Sequence, residues 1–280
     1  MADIQKSPAA AKIAIYLVMA VFTLLALYPL LWLVIQSFKT TQEYLTTSKL
    51  SLPTRWFAGN YSYAWRMGNF GILLLNSVFY TATTVIAVVV LGFMAGFAFA
   101  KIKNKATPLL HGIFIIGILL TLQSIMVPLF LMVNAVGLYN TRLGILIPYI
   151  GIGLPMGVYL GTEFIKSIPE ALIESARLDG ARYLRIFASI IFPMSAPVAM
   201  TVGILTFTGT WNEFMLINIL SSSDTIKSVP VGINRFSGAL ASDYGKQFSA
   251  LVIGMIPMVA FYLIFRKQIT KGVAAGAVKG

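Results

Sequence analysis

Six long apolar runs divide the chain, and its one sustained polar stretch lies between the fourth and the fifth. The runs are Ile13–Ile35, Ile72–Ala100, Pro108–Val133, Leu143–Ile165, Ile190–Leu220 and Ser249–Phe265. Each is long enough to cross a hydrocarbon core, which takes about 20 helical residues. None shows the ten-residue alternation of a membrane barrel strand. Lipid offers the backbone no hydrogen-bond partner, so these runs are predicted to be α-helices. The second carries Gly92, Gly96 and Ala100 at every fourth position, a small-residue face for close helix packing. The fifth contains Pro193, Pro197, Gly203 and Gly209, which predicts a kinked or broken helix.

The polar stretch runs from Ser167 to Pro197. Ser167 and Glu170 have the spacing of a capping box, with Pro169 in the first turn and Gly180 where a helix would stop. This pattern predicts a short helix from Pro169 to Asp179, a glycine break with φ > 0, and a second helix from about Arg182. Glu170 and Glu174 fall one turn apart on one face, with Arg177 a turn beyond, while Ala171, Ser175 and Ala176 keep the helix thin. A helix–break–helix between two spans can be gripped from outside the membrane.

Composition supports the membrane reading. The 280 residues are 58% hydrophobic and 11% charged, where a soluble domain is about a quarter charged. There is no Cys, hence no disulfide, thiol nucleophile or thiolate metal site. The net charge of +12 comes without a basic helix or aromatic-interleaved basic stripe, so it reads as membrane topology and not as nucleic-acid binding. With both termini cytoplasmic, the inner segments hold 13 basic residues, among them Lys6, Lys12, Lys101, Lys103, Lys105, Lys166 and Lys279, and the outer segments hold 8, including Arg235. Lys6 and Lys12 precede an apolar run longer than a signal-peptide core, without a small-residue cleavage site, so an uncleaved first span is expected. Two long outer loops follow, residues 39–69 and 221–248. Trp56, Tyr61, Tyr63 and Trp65 on the first suit the membrane interface or a receiving surface for an external partner. The second, with Gly232, Gly238 and Gly245, is expected to lie flexibly under such a partner.

Candidate chemistry is sparse. No Gly-x-x-x-x-Gly-Lys-Ser/Thr or His-Glu-x-x-His pattern occurs, and the lone His111 reads as an interface residue. The one acid inside an apolar run is Glu213, beside Trp211 and Asn212. An ionisable group in a span is costly and is a functional-site hypothesis by default. Glu213 and Asn212 could offer hydrogen bonds to a polar solute, with Trp211 offering an aromatic face or supporting a gate; the alternative for Glu213 is interfacial water or a neighbouring span.

The polar stretch resembles the EAA loop of ABC-importer permeases, in which Glu-Ala-Ala precedes a Gly and then Ile-x-Leu-Pro. Glu174, Ala176, Gly180, Ile190 and Pro193 match in register, while Ser175 and Phe192 depart from the pattern. Asp179-Gly180-Ala181, Phe187 and Pro197 are similar to the carbohydrate-importer version, as are Met126-Val127-Pro128, residues 137–141, Trp211-Asn212-Glu213 and the tail from Gly272 to Gly280. The resemblance implies an all-α membrane protein of six transmembrane helices, with the type I ABC importer permease fold and a cytoplasmic coupling helix. It divides the chain into residues 1–70 (tail, first span and external loop), a permease core over 71–266 with its coupling loop at 167–189, and a cytoplasmic tail at 267–280. Glu170, Glu174, Ser175, Ala176, Arg177, Asp179, Gly180, Ala181 and Phe187 are then the ATPase-coupling residues. The implied function is import of sugars, probable substrates being oligosaccharides, across the bacterial cytoplasmic membrane. The implied partners are a second homologous permease subunit, two cytoplasmic ATPase subunits that bind the ATP and Mg, and an external solute-binding protein. This chain itself would be no enzyme and hold no cofactor. The alternatives are an ion-coupled secondary transporter, which leaves the polar loop unexplained, a permease for a non-sugar solute such as glycerol 3-phosphate, and a membrane scaffold without transport.

Overall fold

Helix accounts for most of the described backbone in the computed structural model. It describes residues 9–277 apart from 103, 235 and 237–242, and no strand occurs among the described residues. Lys6, Lys103, Arg235, Gly238, Lys279 and the last three residues of the tail lie outside them. The chain forms two compact units, residues 1–70 with 233–255 and residues 71–232 with 256–280.

The first unit contains α1 (Ala9–Gln36), α2 (Thr41–Thr46) and α3 (Gly59–Met67). The first span is apolar and nearly bare of packing within the chain. The loop after it is tightly bonded. Asn60 donates its amide to the carbonyls of Ser37 and Lys39, both at 2.8 Å. The Lys39 ammonium is fully buried and donates to the Ser48 carbonyl at 3.1 Å and the Ser51 hydroxyl at 3.0 Å. Burial lowers its pKa, opposed by the nearby Glu43 carboxylate. The Glu43 pKa is lowered in turn, first by the Thr54 backbone N–H at 2.6 Å. Of the four loop aromatics, Tyr61 turns inward to Ser37, at 2.6 Å between hydroxyls, whereas Trp56, Tyr63 and Trp65 are exposed.

The second unit begins with α4 (Phe70–Lys101), whose first residue belongs to the first unit. It continues through α5 (Thr107–Leu119), α6 (Leu122–Ala135) and α7 (Arg142–Lys166). The small-residue face of α4 meets glycines of α7. A Cβ at Gly92 would lie 2.9 Å from the Gly157 carbonyl carbon, and one at Gly96 would lie 2.8 Å from the Thr162 nitrogen. The expected third span is bent: α5 and α6 meet at 109°, because Leu120 and Thr121 are both extended and interrupt the helical ladder. After the short α8 (Glu170–Leu178) and α9 (Tyr183–Ile186) comes a π-helical turn, Phe187–Ile191, then α10 (Phe192–Met194) and α11 (Ala196–Trp211). The chain bends by 79° at Ser195. Pro197 has no N–H for the carbonyl of Pro193 and its ring crowds that carbonyl. The buried Ser195 hydroxyl instead bonds the Ile191 carbonyl at 2.7 Å. Four helices therefore span without interruption and the two bent pairs bring the number to six.

After α12 (Met215–Leu220), the loop at 221–228 is pinned, contrary to the expectation of flexibility. Asn140 Oδ1 accepts the N–H groups of Ser222 and Ser223 at 3.0 and 2.8 Å. Asn76 donates to the carbonyls of Thr225 and Lys227 at 2.8 and 3.0 Å, and the Tyr80 hydroxyl to that of Ile226 at 2.8 Å. The chain closes with α13 (Val229–Asn234) and α14 (Tyr244–Ala277), which continues through the segment assigned to the tail.

Candidate functional site

The polar loop forms a short helix, a glycine turn and a second helix, as its capping and breaking residues predict. Gly180 has φ +78 and a Cβ there would meet nothing within 4 Å, so the turn needs the conformation and not the space. The Gly180 N–H donates to the Arg177 carbonyl and the Ala181 N–H to that of Ala176, at 3.0 and 2.9 Å, which closes α8. The capping box does not form. The Ser167 hydroxyl turns back to the Phe164 carbonyl at 2.7 Å and caps the end of α7, which leaves Pro169 at the α8 N-cap without a side-chain bond.

The helix α8 has two faces. Ile173 and Ala176 are buried in a cluster with Val88, Phe93 and Phe97 of α4, Ile165 of α7, Ile186 of α9, Phe187 and Ile191 of the π turn, and Val202 of α11. Ala181 packs against the same cluster. Glu170, Glu174, Ser175, Arg177, Asp179 and Gly180 are exposed. Ala176, Ala181 and Phe187, which the resemblance assigned to ATPase coupling, therefore tie the loop to the spans, and the other six residues of that set make up its exposed side. The outer face also carries Leu172 and Leu178, the latter 89% exposed, and the Arg177 guanidinium lies 5.2 Å from the Tyr183 ring centroid.

Glu213 is not inside a span helix. It sits in the break between α11 and α12, where its carboxylate accepts the N–H groups of Leu216 at 2.7 Å and Ile217 at 3.2 Å. It thereby caps α12, a favourable place for an anion. The Tyr149 hydroxyl donates to the same carboxylate at 2.7 Å. Trp211 is buried and stacked on Phe207, at 5.8 Å and 8° between planes, so its ring is not open to a sugar face. Asn212 is exposed and donates to the Thr208 carbonyl at 2.9 Å. Of the three, Glu213 lines a cavity between α7, α11 and the start of α12. That cavity, about 320 Å3, also takes Tyr149, Thr206 and Thr210 among apolar neighbours that include Ile152, Met156 and Leu205. Sequence reading missed Tyr149, Thr206 and Thr210. Spacing held a signal for two of them, since positions 206, 210 and 213 recur at helical intervals. His111 packs against Phe99, 5.6 Å between ring centroids, in line with a structural residue.

Comparison with known proteins accords with this architecture. Residues 89–274 match the family model described as binding-protein-dependent transport system inner membrane component. The trehalose transport system permease protein SugB of Mycobacterium tuberculosis is 33% identical, over 89% of this chain and 91% of its own. The diacetylchitobiose uptake system permease protein NgcG of Streptomyces coelicolor is 31% identical, over 89% and 83%. A chain of a bacterial ABC transporter that imports the acidic polysaccharide alginate superposes with a TM-score of 0.80, over 94% of this chain and 97% of that one, at 22% identity, and so shares the fold. With its membrane spans, its bent fifth span and the loop at 167–189, the chain belongs to the family of binding-protein-dependent inner-membrane components, the multi-pass permeases of ABC importers.

Proposed function

We propose that this chain is the permease subunit of a bacterial importer for sugars, oligosaccharides in particular, and that α8 is where ATP hydrolysis in a partner is received. The observation that carries the reading is the division of α8 into an exposed face and a buried one. A partner gripping Glu170, Glu174 and Leu178 from outside would move Ile173 and Ala176, and with them the residues of α4, α7, α9 and α11 in the same cluster. Packed interiors transmit such displacement because they have no voids to absorb it. The partners in this reading are two cytoplasmic ATPase subunits, which hold the ATP and Mg, a second homologous permease and an external solute-binding protein. To switch the pathway from 1:99 to 99:1 in favour of one state, ATP must favour that state by about 5.5 kcal/mol. The sugar assignment is supported by the named substrates of the permease relatives and by a cavity in which hydroxyl and carboxylate groups stand among apolar walls.

The cavity is tested with uptake of labelled sugar. Thr210→Val and Tyr149→Phe each remove one hydroxyl at nearly constant shape, and each is expected to reduce uptake about tenfold, the equivalent of about 1.4 kcal/mol, with assembly intact. Unchanged uptake in both variants would place the sugar path elsewhere. The Glu213→Gln substitution addresses a different matter, because it perturbs the α12 cap as well as the cavity wall.

The distribution of basic residues supports an orientation with both termini and the 167–189 loop in the cytoplasm. In a chain that lacks Cys, a single cysteine at exposed Ser48 should react with an impermeant thiol reagent in intact cells, and one at exposed Asn104 only after permeabilisation. The reverse pattern would put α8 outside and remove the coupling reading.

A further inference from the structure

We propose that a basic cavity at the ends of three spans binds the phosphate headgroup of an anionic glycerophospholipid from the surrounding bilayer. The proposal rests on the chain being a membrane protein and is independent of the sugar assignment. The cavity measures about 670 Å3, and Lys101, Lys105, Lys166, Asn104 and Thr107 line it together with Glu170. Three ammonium groups thus stand against the lining carboxylate of Glu170 and that of Glu163, which pairs with Lys166. Lys101 ends α4, Lys166 ends α7 and Thr107 begins α5. The ends of membrane spans lie near the headgroup region, so in a bilayer the cavity would sit where lipid phosphates are found.

The three lysines are differently committed. Lys101 is anchored, with its ammonium donating to the carbonyls of Ile168 at 2.5 Å and Lys166 at 3.5 Å. An ammonium has three N–H donors, so one remains. Lys166 is paired with Glu163 at 2.7 Å, but both side chains are about half exposed, and such pairs are weak and exchange readily. Lys105 has no hydrogen bond or ion pair among the described residues. A phosphate entering here would meet one fixed donor and two that can swing to it. Ile102, which lines the cavity, and Leu109, next in sequence to the lining Pro108, are exposed and apolar, which suits acyl chains and favours a lipid over free phosphate. Basic pockets at the membrane surface between spans bind anionic headgroups in this way.

A bound headgroup would tie the α4–α5 turn to the α7–α8 corner, so its presence would bear on the coupling helix directly. The test uses the full chain with its accompanying subunits in nanodiscs of phosphatidylcholine, with and without phosphatidylglycerol, and counts retained lipid by native mass spectrometry. Phosphatidylglycerol should be retained in preference to phosphatidylcholine. Lys105→Gln and Lys166→Gln should each lower that retention about fivefold, and Arg55→Gln, a charge removed elsewhere, should leave it unchanged. Soluble glycerol phosphate should not displace the lipid. Equal retention of the two lipids, lysine variants that keep phosphatidylglycerol, or displacement by glycerol phosphate would each overturn the assignment. So would crosslinking of a cysteine at Lys105 to an acidic segment of a partner protein with lipid retention unaffected.

Discussion

Gly180→Val is expected to leave the protein in the membrane and to abolish both sugar uptake and substrate-stimulated ATP hydrolysis. At φ +78 a β-branched residue costs about 1–3 kcal/mol. Since a Cβ at this position touches nothing within 4 Å, the whole penalty lies in the backbone and none in packing. The strained turn can relax only by giving up the bond from the Ala181 N–H to the Ala176 carbonyl, and Ala176 is one of the residues that seat α8 on the spans. Asn tolerates the left-handed region, so Gly180→Asn should retain most of the activity. A bulk effect would not distinguish the two in that order. Glu174→Lys reverses a charge on the exposed face and should give the same loss by another route, through the partner and not through the fold. Activity of both Gly180→Val and Glu174→Lys near that of the unaltered protein, in reconstituted vesicles, would withdraw the coupling role from α8.

A large effect on stability is expected at Gly96. A side chain there would press on the backbone of α7, with its Cβ 2.8 Å from the Thr162 nitrogen and 3.0 Å from the Gly161 carbonyl carbon. No rotamer of a neighbour can relieve such a contact; the two helices must move apart. Overpacking of this kind costs about 1–3 kcal/mol, and in lipid, close packing is a main source of helix association. Gly96→Val should therefore lower the midpoint of thermal unfolding in detergent and the amount of protein in the membrane. Gly112→Ala and Gly151→Ala serve as controls, because a Cβ at either meets nothing within 4 Å. Equal unfolding midpoints for Gly96→Val and the controls would mean that α4 and α7 do not pack through their glycines.

How far these features could be read from residues alone depends on which physical signal they left. Length and apolarity sufficed for the four unbroken spans, and Gly180 announced a turn that only a positive φ satisfies. Pro193 and Pro197 likewise flagged the bend at Ser195. The break at Leu120–Thr121 gave no such warning, because two extended residues inside an apolar run look the same as two helical ones. The inner and outer faces of α8 were not separable either. Ala176 is small and next to Ser175, and only its burial in the cluster that also holds Ile165 and Phe93 shows that it points inward. Glu213 misled in a more instructive way. An acid in an apolar run suggested a group buried in a span, whereas the structure ends one helix before it and starts another on it. The same residue in a soluble sequence would have been read at once as a helix N-terminus.

The π turn at Phe187–Ile191 sets the phase between loop and membrane. The N–H of Phe192 reaches back five residues to the Phe187 carbonyl, where an α-helix would reach four. One residue is thus inserted into the winding, and an inserted residue rotates everything beyond it by about 100°. Phe187 and Ile191 face the interior on one side of this offset, and Val202 and the threonines of the cavity lie beyond it. A chain shortened by one residue within this turn would have the same composition and the same spans. Its fifth helix would nonetheless turn a different face to the cavity, so the insertion works as an alignment key between the polar loop and the cavity wall.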